Sequence, residues 1–213
     1  MKVAGGQAED GIVIGNTYDK YGTRNPIARR MVEGFAGALS SLVAKVSPAT
    51  IHEVGCGEGY WVMRWLGEDI DARGTDFSTQ VIGMAKENAR GRDMDPGRFA
   101  VRSIYEVTPE RDSADLIVCC EVMEHLEEPQ RALQALQRIV KSDLILSVPR
   151  EPLWRVLNLA RGKYFSALGN TPGHLQHWSQ RGIVSLTSRF FDVAEVLSPL
   201  PWTMLHCKSK RRH

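Results

Sequence analysis

The stretch Ile51-His52-Glu53-Val54-Gly55-Cys56-Gly57-Glu58-Gly59 limits what this chain can fold into more than any other. Apolar and β-branched residues end in an acid and three glycines at alternate positions, and the helix-like run Tyr60 to Leu66 follows at once. That order predicts a strand, a tight turn and a helix start, the entrance of an α/β nucleotide-type site. A dinucleotide fingerprint, G-x-G-x-x-G, would need its third glycine at position 60, but Tyr60 stands there and the glycine falls at 59. A pyrophosphate depends on a helix N-terminus brought close by the G-x-x-G step. A G-x-G-x-G loop behind an acidic strand end suits a ligand without phosphate.

The rest of the chain reads as one α/β unit. After a glycine-rich opening, expected to be only partly ordered over 1–16, the segment from Tyr18 to Pro26 leads into a helix with Ile27, Met31, Phe35, Leu39 and Leu42 at helical spacing. Pro48 ends that helix. A second strand runs from Ile70 to Asp76 and a helix from Ser78 to Arg90; a third strand spans Arg98 to Ser103. A buried strand from Ala114 to Cys120 precedes a helix over Pro129 to Val140, with Leu133, Leu136, Ile139 and Val140 as its apolar stripe. A fifth strand covers Asp143 to Val148, a helix Gln180 to Phe190, and the last strands Phe191 to Leu197 and Thr203 to Lys208. Regular alternation predicts a Rossmann-like, doubly wound sheet with helices on both faces, in a single domain over 1–213.

Composition removes several classes of function. Lysine and arginine number 27 against 25 acidic residues, so no overall charge favours nucleic acid or a membrane surface. The basic tail Lys208-Ser209-Lys210-Arg211-Arg212 reads as a solvated end. Cys56, Cys119, Cys120 and Cys207 form no C-x-x-C pair, which fits a reducing compartment. No apolar core of a signal peptide and no run long enough to span a bilayer is present in the sequence. The expectation is a cytoplasmic protein; its oligomeric state is open.

Two spacings point to the chemistry. Asp76 follows Glu53 by 23 residues, about where an α/β nucleotide site places an acid whose two oxygens accept from both ribose hydroxyls. Its alternative role is to cap the following helix. Phe77 comes next, placed to flank an adenine. The second marker is Glu121-Val122-Met123-Glu124-His125, with Pro129 four positions on, at the end of the fourth strand.

S-adenosylmethionine is a phosphate-free ligand whose zwitterionic tail can lie against bare glycine backbone. Glu53 to Gly59 resembles motif I of the class I S-adenosylmethionine-dependent methyltransferases, E/D-x-G-x-G-x-G. Glu121 to Pro129 resembles the E-V-x-E-H-x-x-x-P segment of the group that includes ubiquinone-biosynthesis O-methyltransferases. The resemblance covers about residues 18 to 150. It implies seven strands in the order 3-2-1-4-5-7-6, the last antiparallel, and a donor site formed by Tyr18, Glu53, Gly55, Gly57, Gly59, Asp76, Phe77, Ser103, Ile104 and Glu121. Ser103 stands where the family often has aspartate against the adenine; the backbone of Ile104 is the other candidate there. Residues 17–47 resemble a lid helix over the cofactor, although Tyr18 and Tyr21 can equally serve to pack that helix.

The acceptor side is expected in an insertion after strand 5, residues 150–179, rich in aromatics and arginines. Its alternative is a helix packed on its own aromatics. If the acceptor is a hydroxyl, a base must take its proton, and histidine titrates in the useful range. His174 or His177 is the candidate, with His125 third. Glu121, Glu124 and His125 also resemble the metal-binding E-x-x-E-H of some relatives, with His174 or His177 as a later ligand, but a metal-free site is preferred. The resulting expectation is methyl transfer to a small-molecule hydroxyl. Its rivals are a metal-assisted RNA 2′-O-methyltransferase, disfavoured by the neutral charge balance, and a methyltransferase-like binding module without catalysis.

Overall fold

The computed structural model describes residues 1–9, 12–16, 19–160, 162, 164, 167–171 and 173–210, without the side chains of residues 12 and 13. Its elements are β1 (Ala8–Glu9), β2 (Ile12–Val13), α1 (Pro26–Val46), β3 (Thr50–Val54), α2 (Tyr60–Leu66), β4 (Asp71–Asp76), α3 (Thr79–Arg90), β5 (Phe99–Val101), α4 (Pro109–Asp112), β6 (Ala114–Cys120), α5 (Pro129–Ile139), β7 (Val140–Pro149), α6 (Leu153–Ala160), α7 (Gln180–Thr187), β8 (Phe191–Leu197) and β9 (Trp202–Ser209).

Seven of the strands form one sheet in the order β5-β4-β3-β6-β7-β9-β8. Counted from β3, this is the expected 3-2-1-4-5-7-6. The strands from β5 across to β7 pair in parallel, and β9 runs antiparallel to both β7 and β8. The chain leaves β3 towards β4 on one side and returns beside it as β6 on the other. That reversal opens a crevice at the carboxyl ends of the central strands, where open α/β sheets bind ligands.

Alternation along the buried strands divides the core into two layers. Ile51, Leu116, Val118 and Ile145 face the layer that contains Phe35, Leu39 and Leu42 of α1, Trp61 and Val62 of α2 and Ile82 and Ala85 of α3. Val54, Ile117, Cys119, Leu144 and Leu146 face the other, filled by Leu133, Leu136 and Ile139 of α5 and Ile183 of α7. Truncating a fully buried leucine such as Leu39 or Leu136 to alanine should cost about 2–5 kcal/mol.

α1 starts as its sequence demands. Asn25 accepts from the backbone amides of Ile27 and Ala28, and Pro26 occupies the first turn, where its missing N–H is no loss. Ile27, expected in the apolar stripe, is instead 71% exposed, since the buried face of the helix begins at Phe35.

Three further expectations are corrected. The opening segment is packed: Ala4 and Ile14 are buried against Val81. The third strand is shorter than Arg98 to Ser103, because Ser103 and Glu106 form a capping box that starts a 3₁₀ turn over Ile104–Glu106. α7 stops at Thr187 and a turn carries the chain on to Phe190. Tyr18 and the end of the basic tail, Arg211 and Arg212, lie outside the described residues.

Candidate functional site

The glycine loop is held from below. The amides of Gly55 and Cys56 both donate to the carbonyl of Thr75, at 2.7 and 2.9 Å, so the chain turns across the end of β4 as soon as it leaves β3. All three loop glycines have positive φ, +80°, +53° and +83° for Gly55, Gly57 and Gly59. Their surroundings differ. A Cβ on Gly55 would lie 2.2 Å from Cγ2 of Val122, and one on Gly59 2.6 Å from the ring of Phe99. At Gly57 the nearest atom would be Nδ2 of Asn16, 4.0 Å away. Two glycines therefore allow close packing, and the middle one presents bare backbone to open space.

That space is a cavity of about 840 Å³, within the range of small-molecule sites. Glu53, Gly55, Gly57, Asp76, Phe77, Ser103, Ile104, Glu121, His125 and His174 all line it. Gly59 and His177 are not among the lining residues.

Asp76 is fixed at both oxygens, with Oδ2 accepting from the amide of Gly57 at 3.1 Å and Oδ1 from that of Ser78 at 3.0 Å. Each oxygen keeps a lone pair, so the carboxylate can still accept from a diol. The helix-capping role foreseen as the alternative for Asp76 falls to Ser78, which caps α3, while Asp76 holds the turn just before it. Phe77 is 43% exposed, an aromatic face left at the cavity wall. Ser103 spends its hydroxyl on the amide of Tyr105. Burial raises the pKa of Asp76, and raises that of Glu53 well above the usual carboxylate range, where Lys20 opposes the shift. Oε2 of Glu53 is buried with no hydrogen-bond partner. A buried carboxylate oxygen of this kind suits an ammonium group. Bare backbone, a diol acceptor, an aromatic wall and this oxygen together fit S-adenosylmethionine.

The opposite wall is built by side chains. A 3₁₀ turn over Met123–His125 follows β6, and the amides of Leu175 and Gln176 donate to the carbonyl of Glu124 at 2.8 and 2.9 Å. Nδ1 of His125 lies 2.9 Å from the carbonyl of Gly173. These bonds bring His174 to the cavity, with its ring 5.0 Å from that of His125 and stacked at 6.0 Å on Trp154. His177 is turned away, 3.7 Å from Glu151. Burial lowers the pKa of His125 and brings that of His174 down to about 3, a shift that favours the neutral form of each ring. Burial also lowers His177, with Arg155 adding to the effect.

Ligand atoms of Glu124, His125 and His174 lie within 4.8 Å of one another. Oε2 of Glu124 is buried without a hydrogen-bond partner, and burial raises its pKa well above the usual range. With Nδ1 of His125 bound to a carbonyl, Nε2 is left to bind, the arrangement that metal-ligating histidines use. Of the alternative metal set Glu121, Glu124 and His125, with His174 or His177 as a later ligand, the structure groups Glu124, His125 and His174. Glu121 accepts from Nε1 of Trp202 at 2.6 Å and from Ser147 at 3.3 Å, which holds its carboxylate at the cavity wall. Burial raises the pKa of Glu121 to about 7.

Lys20, Tyr21, Tyr60, Arg102 and Asn16 also line the cavity; Lys20 and Tyr21 fall in the segment read as a lid or as helix packing, and the other three were not among the expected site residues. Tyr21 stacks on Tyr60 with ring centres 3.5 Å apart. The guanidinium of Arg102 is paired with the buried carboxylate of Asp112. Tyr60 could have been found from its place directly behind the loop; Lys20 and Arg102 carry no local signal.

Comparison with known proteins agrees with this geometry. A family model described as a methyltransferase domain matches residues 52–148. The ubiquinone biosynthesis O-methyltransferase of Nitrosomonas europaea is 24% identical over 184 residues, 76% of this chain and 74% of that protein. The protein of the same name from Paraburkholderia phytofirmans is 25% identical but matched over only 47% of its length, and 55% of this chain. Among solved structures, magnesium protoporphyrin IX methyltransferase from Synechocystis PCC 6803 with bound S-adenosylhomocysteine superposes with a TM-score of 0.66 at 18% identity, over 90% of this chain and 91% of that one. The small RNA methyltransferase HEN1 gives 0.66 at 16% identity, over 84% of this chain and 25% of that one. Among the described residues no helix is long and apolar enough to cross a membrane. Residues 52–148 therefore match a methyltransferase domain within a chain whose fold is that of the solved methyltransferases, and together these findings support an enzyme that takes S-adenosylmethionine as its methyl donor.

Proposed function

We propose that the chain methylates a hydroxyl of a small-molecule acceptor by direct transfer, and that residues 150–179 cap the acceptor. The observation that carries this reading is the single cavity, shared by the donor-side residues Gly57, Asp76 and Phe77 and by His125, His174 and Leu175 opposite them. The names of the O-methyltransferase relatives support a hydroxyl as the group methylated. When bound, the donor supplies a methyl group already activated by its sulfonium, so the protein has mainly to align the acceptor and receive a proton.

The chain's own residues divide that work. Gly57 gives the methionine tail a floor, Glu53 takes its ammonium, Asp76 holds the ribose diol, and Phe77 with Ile104 flanks the adenine. Glu121 supports the same end of the site through Trp202 and Ser147. The proton of the acceptor hydroxyl passes to the free Nε2 of His125, whose Nδ1 is held by the carbonyl of Gly173, and His174, a weaker base because burial lowers its pKa further, lines the same wall. His177 stands outside and bears on the cap. The test is release of S-adenosylhomocysteine with a panel of phenols and aliphatic alcohols. A wild type active on at least one class, with turnover reduced at least tenfold in His125→Ala or His174→Ala, supports the reading; turnover on no hydroxyl acceptor but on amines or carbon acids defeats it.

The grouping of Glu124, His125 and His174 favours a second version of the same reaction, in which a divalent cation held by these three lowers the acceptor's pKa. Neutral imidazoles and a carboxylate suit such an ion. In that case chelation and Glu124→Gln each abolish turnover and added Mg²⁺, Mn²⁺ or Zn²⁺ restores it only to the chelated wild type; full activity after chelation excludes this version. An RNA 2′-hydroxyl as acceptor would show itself as RNA affinity that falls steeply with salt.

A further inference from the structure

The opening segment was expected to be only partly ordered, yet its described residues, 1–9 and 12–16, are bound to both loops that form the donor side. The segment folds back on itself, with the amide of Gly5 on the carbonyl of Asn16 at 2.9 Å, Ile14 on Gln7 at 3.0 Å, and β1 paired antiparallel with β2. An isolated two-stranded ladder is marginal in water. Its order must come from what it touches.

Glu58, the residue between Gly57 and Gly59, is 1% exposed and lies where the cavity wall meets this hairpin, to which its carboxylate is bound. Its Oε1 accepts from the amides of Ala4 at 3.0 Å and Asn16 at 2.7 Å, and its Oε2 from the side-chain amide of Asn16 at 2.5 Å. Gly15 crosses directly over that carboxylate: a Cβ there would lie 2.5 Å from Oε1, at a φ of +56°. Asn88 of α3 ties the same point from behind, donating to the carbonyls of Glu58 and Lys2 and accepting from the amide of Lys2. At the other end Glu9 sits on the first turn of α3, where it accepts from Ser78, Thr79 and Gln80, two to four residues after Asp76. One hairpin thus grips the loop after β3 through Glu58 and the loop after β4 through Glu9. Gly15 and Asn16 themselves line the cavity, and Asn16 is the nearest neighbour of the open side of Gly57.

We infer that the N-terminal hairpin is a working wall of the donor pocket, with Asn16 contacting the bound donor and Glu58 as the positioning residue that couples the hairpin to the glycine loop. Glycines free the loop to bend, and the hairpin removes that freedom. By reciprocity, a donor that needs the loop in its bent form orders the hairpin, and the ordered hairpin tightens the donor. This inference rests on the donor alone and is independent of the acceptor.

The test uses the full chain and S-adenosylhomocysteine. Calorimetry should show affinity reduced about 30-fold or more in Glu58→Ala, about fivefold to tenfold in Asn16→Ala and at least threefold in Glu9→Ala, with Lys45→Ala on α1 unchanged. In the wild type, hydrogen exchange at the amides of Ala4, Ile14 and Asn16 should slow at least tenfold on saturation. A merely structural hairpin would be equally protected with and without ligand. If Glu58→Ala does not fold, Asn16→Ala and Glu9→Ala decide the matter, because both residues keep the hairpin's backbone pairing. Affinities within twofold of wild type in those two variants, or exchange insensitive to the ligand, overturn the inference. A wild type that binds no S-adenosylhomocysteine overturns the donor assignment along with it.

Discussion

The two halves of the cavity are made of different material. On the donor side the work is done by backbone: two amides on the carbonyl of Thr75, two amides on Asp76, and a floor at Gly57 with no side chain. On the acceptor side it is done by side chains brought together over long separations, His125 reaching Gly173 across 48 residues. Satisfaction of polar atoms differs in the same sense. Among the described residues, the donor side leaves Oε2 of Glu53 without a hydrogen-bond partner. The acceptor side and its cap leave Oε2 of Glu124, Oε1 of Glu151, Nε of Arg155 and Oδ1 of Asn170. Buried polar groups without partners are expensive. On the proposed reading, the donor half lacks one partner, at Glu53, which the donor's ammonium would supply, and the acceptor half and its cap lack several.

The largest effect that would test this division comes from the glycines. Gly55→Ala meets Val122 at a φ that favours glycine, so strain of about 1–3 kcal/mol adds to overpacking of about 1–3 kcal/mol, and urea denaturation should register the loss. Gly57→Ala pays only the strain, because its Cβ enters open space. Its donor affinity should nevertheless fall at least as far as that of Gly55→Ala. If Gly57→Ala bound S-adenosylhomocysteine as wild type does, the backbone floor would not be where the donor lies.

How much of this was legible beforehand follows the same divide. The glycine loop, Asp76 and the positions of the strands could be read because strand period and short spacings fix them locally, whereas the strand order came only from the family resemblance. Ser103 lines the cavity as expected of a site residue, and its capping box with Glu106, which the sequence reading did not foresee, is itself a local pattern. His174 and His177, three residues apart, could not be separated by spacing; the bonds of Gly173 to Gln176 with the turn at Glu124 decide which one enters. Glu121 matched a motif, yet Trp202, 81 residues away, takes its oxygen. The hairpin was missed because glycine-rich composition says nothing about a buried partner such as Glu58.

Acid provides the next test, on the rigid side. His52 lies beneath the loop with Nδ1 2.7 Å from the carbonyl of Asp112 and Nε2 2.9 Å from Thr75, whose own carbonyl holds Gly55 and Cys56. Burial lowers its pKa from 6.5 to about 4. A depressed histidine pKa means that the unfolded chain binds the proton first. The stabilisation is therefore complete above pH 6.5 and is lost as pH falls towards 4, by up to about 3 kcal/mol. His52→Gln, which cannot protonate, should flatten that limb of the stability profile; an unchanged limb would assign the acid sensitivity to other groups, His174 first among them.

Asp76→Ala comes third. A hydrogen bond to a charged group contributes about 1.5–3 kcal/mol, so removing the diol acceptor should weaken S-adenosylhomocysteine by roughly 10- to 150-fold. Asp76→Asn should fall between the two, since it retains one acceptor oxygen. The contrast with the acceptor half sharpens here: Glu124→Gln should leave this affinity within about threefold while it alters turnover. Equal losses in both variants would mean that the two halves do not act separately.

The smallest effect is the most specific to the donor's shape. Phe77 is an exposed aromatic directly after Asp76, and no core packing depends on it. Losing one stacking face should cost about 0.5–1.5 kcal/mol, a twofold to tenfold weaker affinity, with no change in melting temperature. Phe77→Leu should recover part of the loss through apolar contact and Phe77→Trp should restore or exceed it. Replacing the ligand by methionine alone, which has no adenine, gives the deciding comparison. If Phe77→Ala weakens methionine as much as S-adenosylhomocysteine, Phe77 acts through the loop and not through the base. If only the nucleoside-bearing ligand is affected, the ring marks the adenine end of the cavity, and the methionine end must lie back at Gly57 and Glu53.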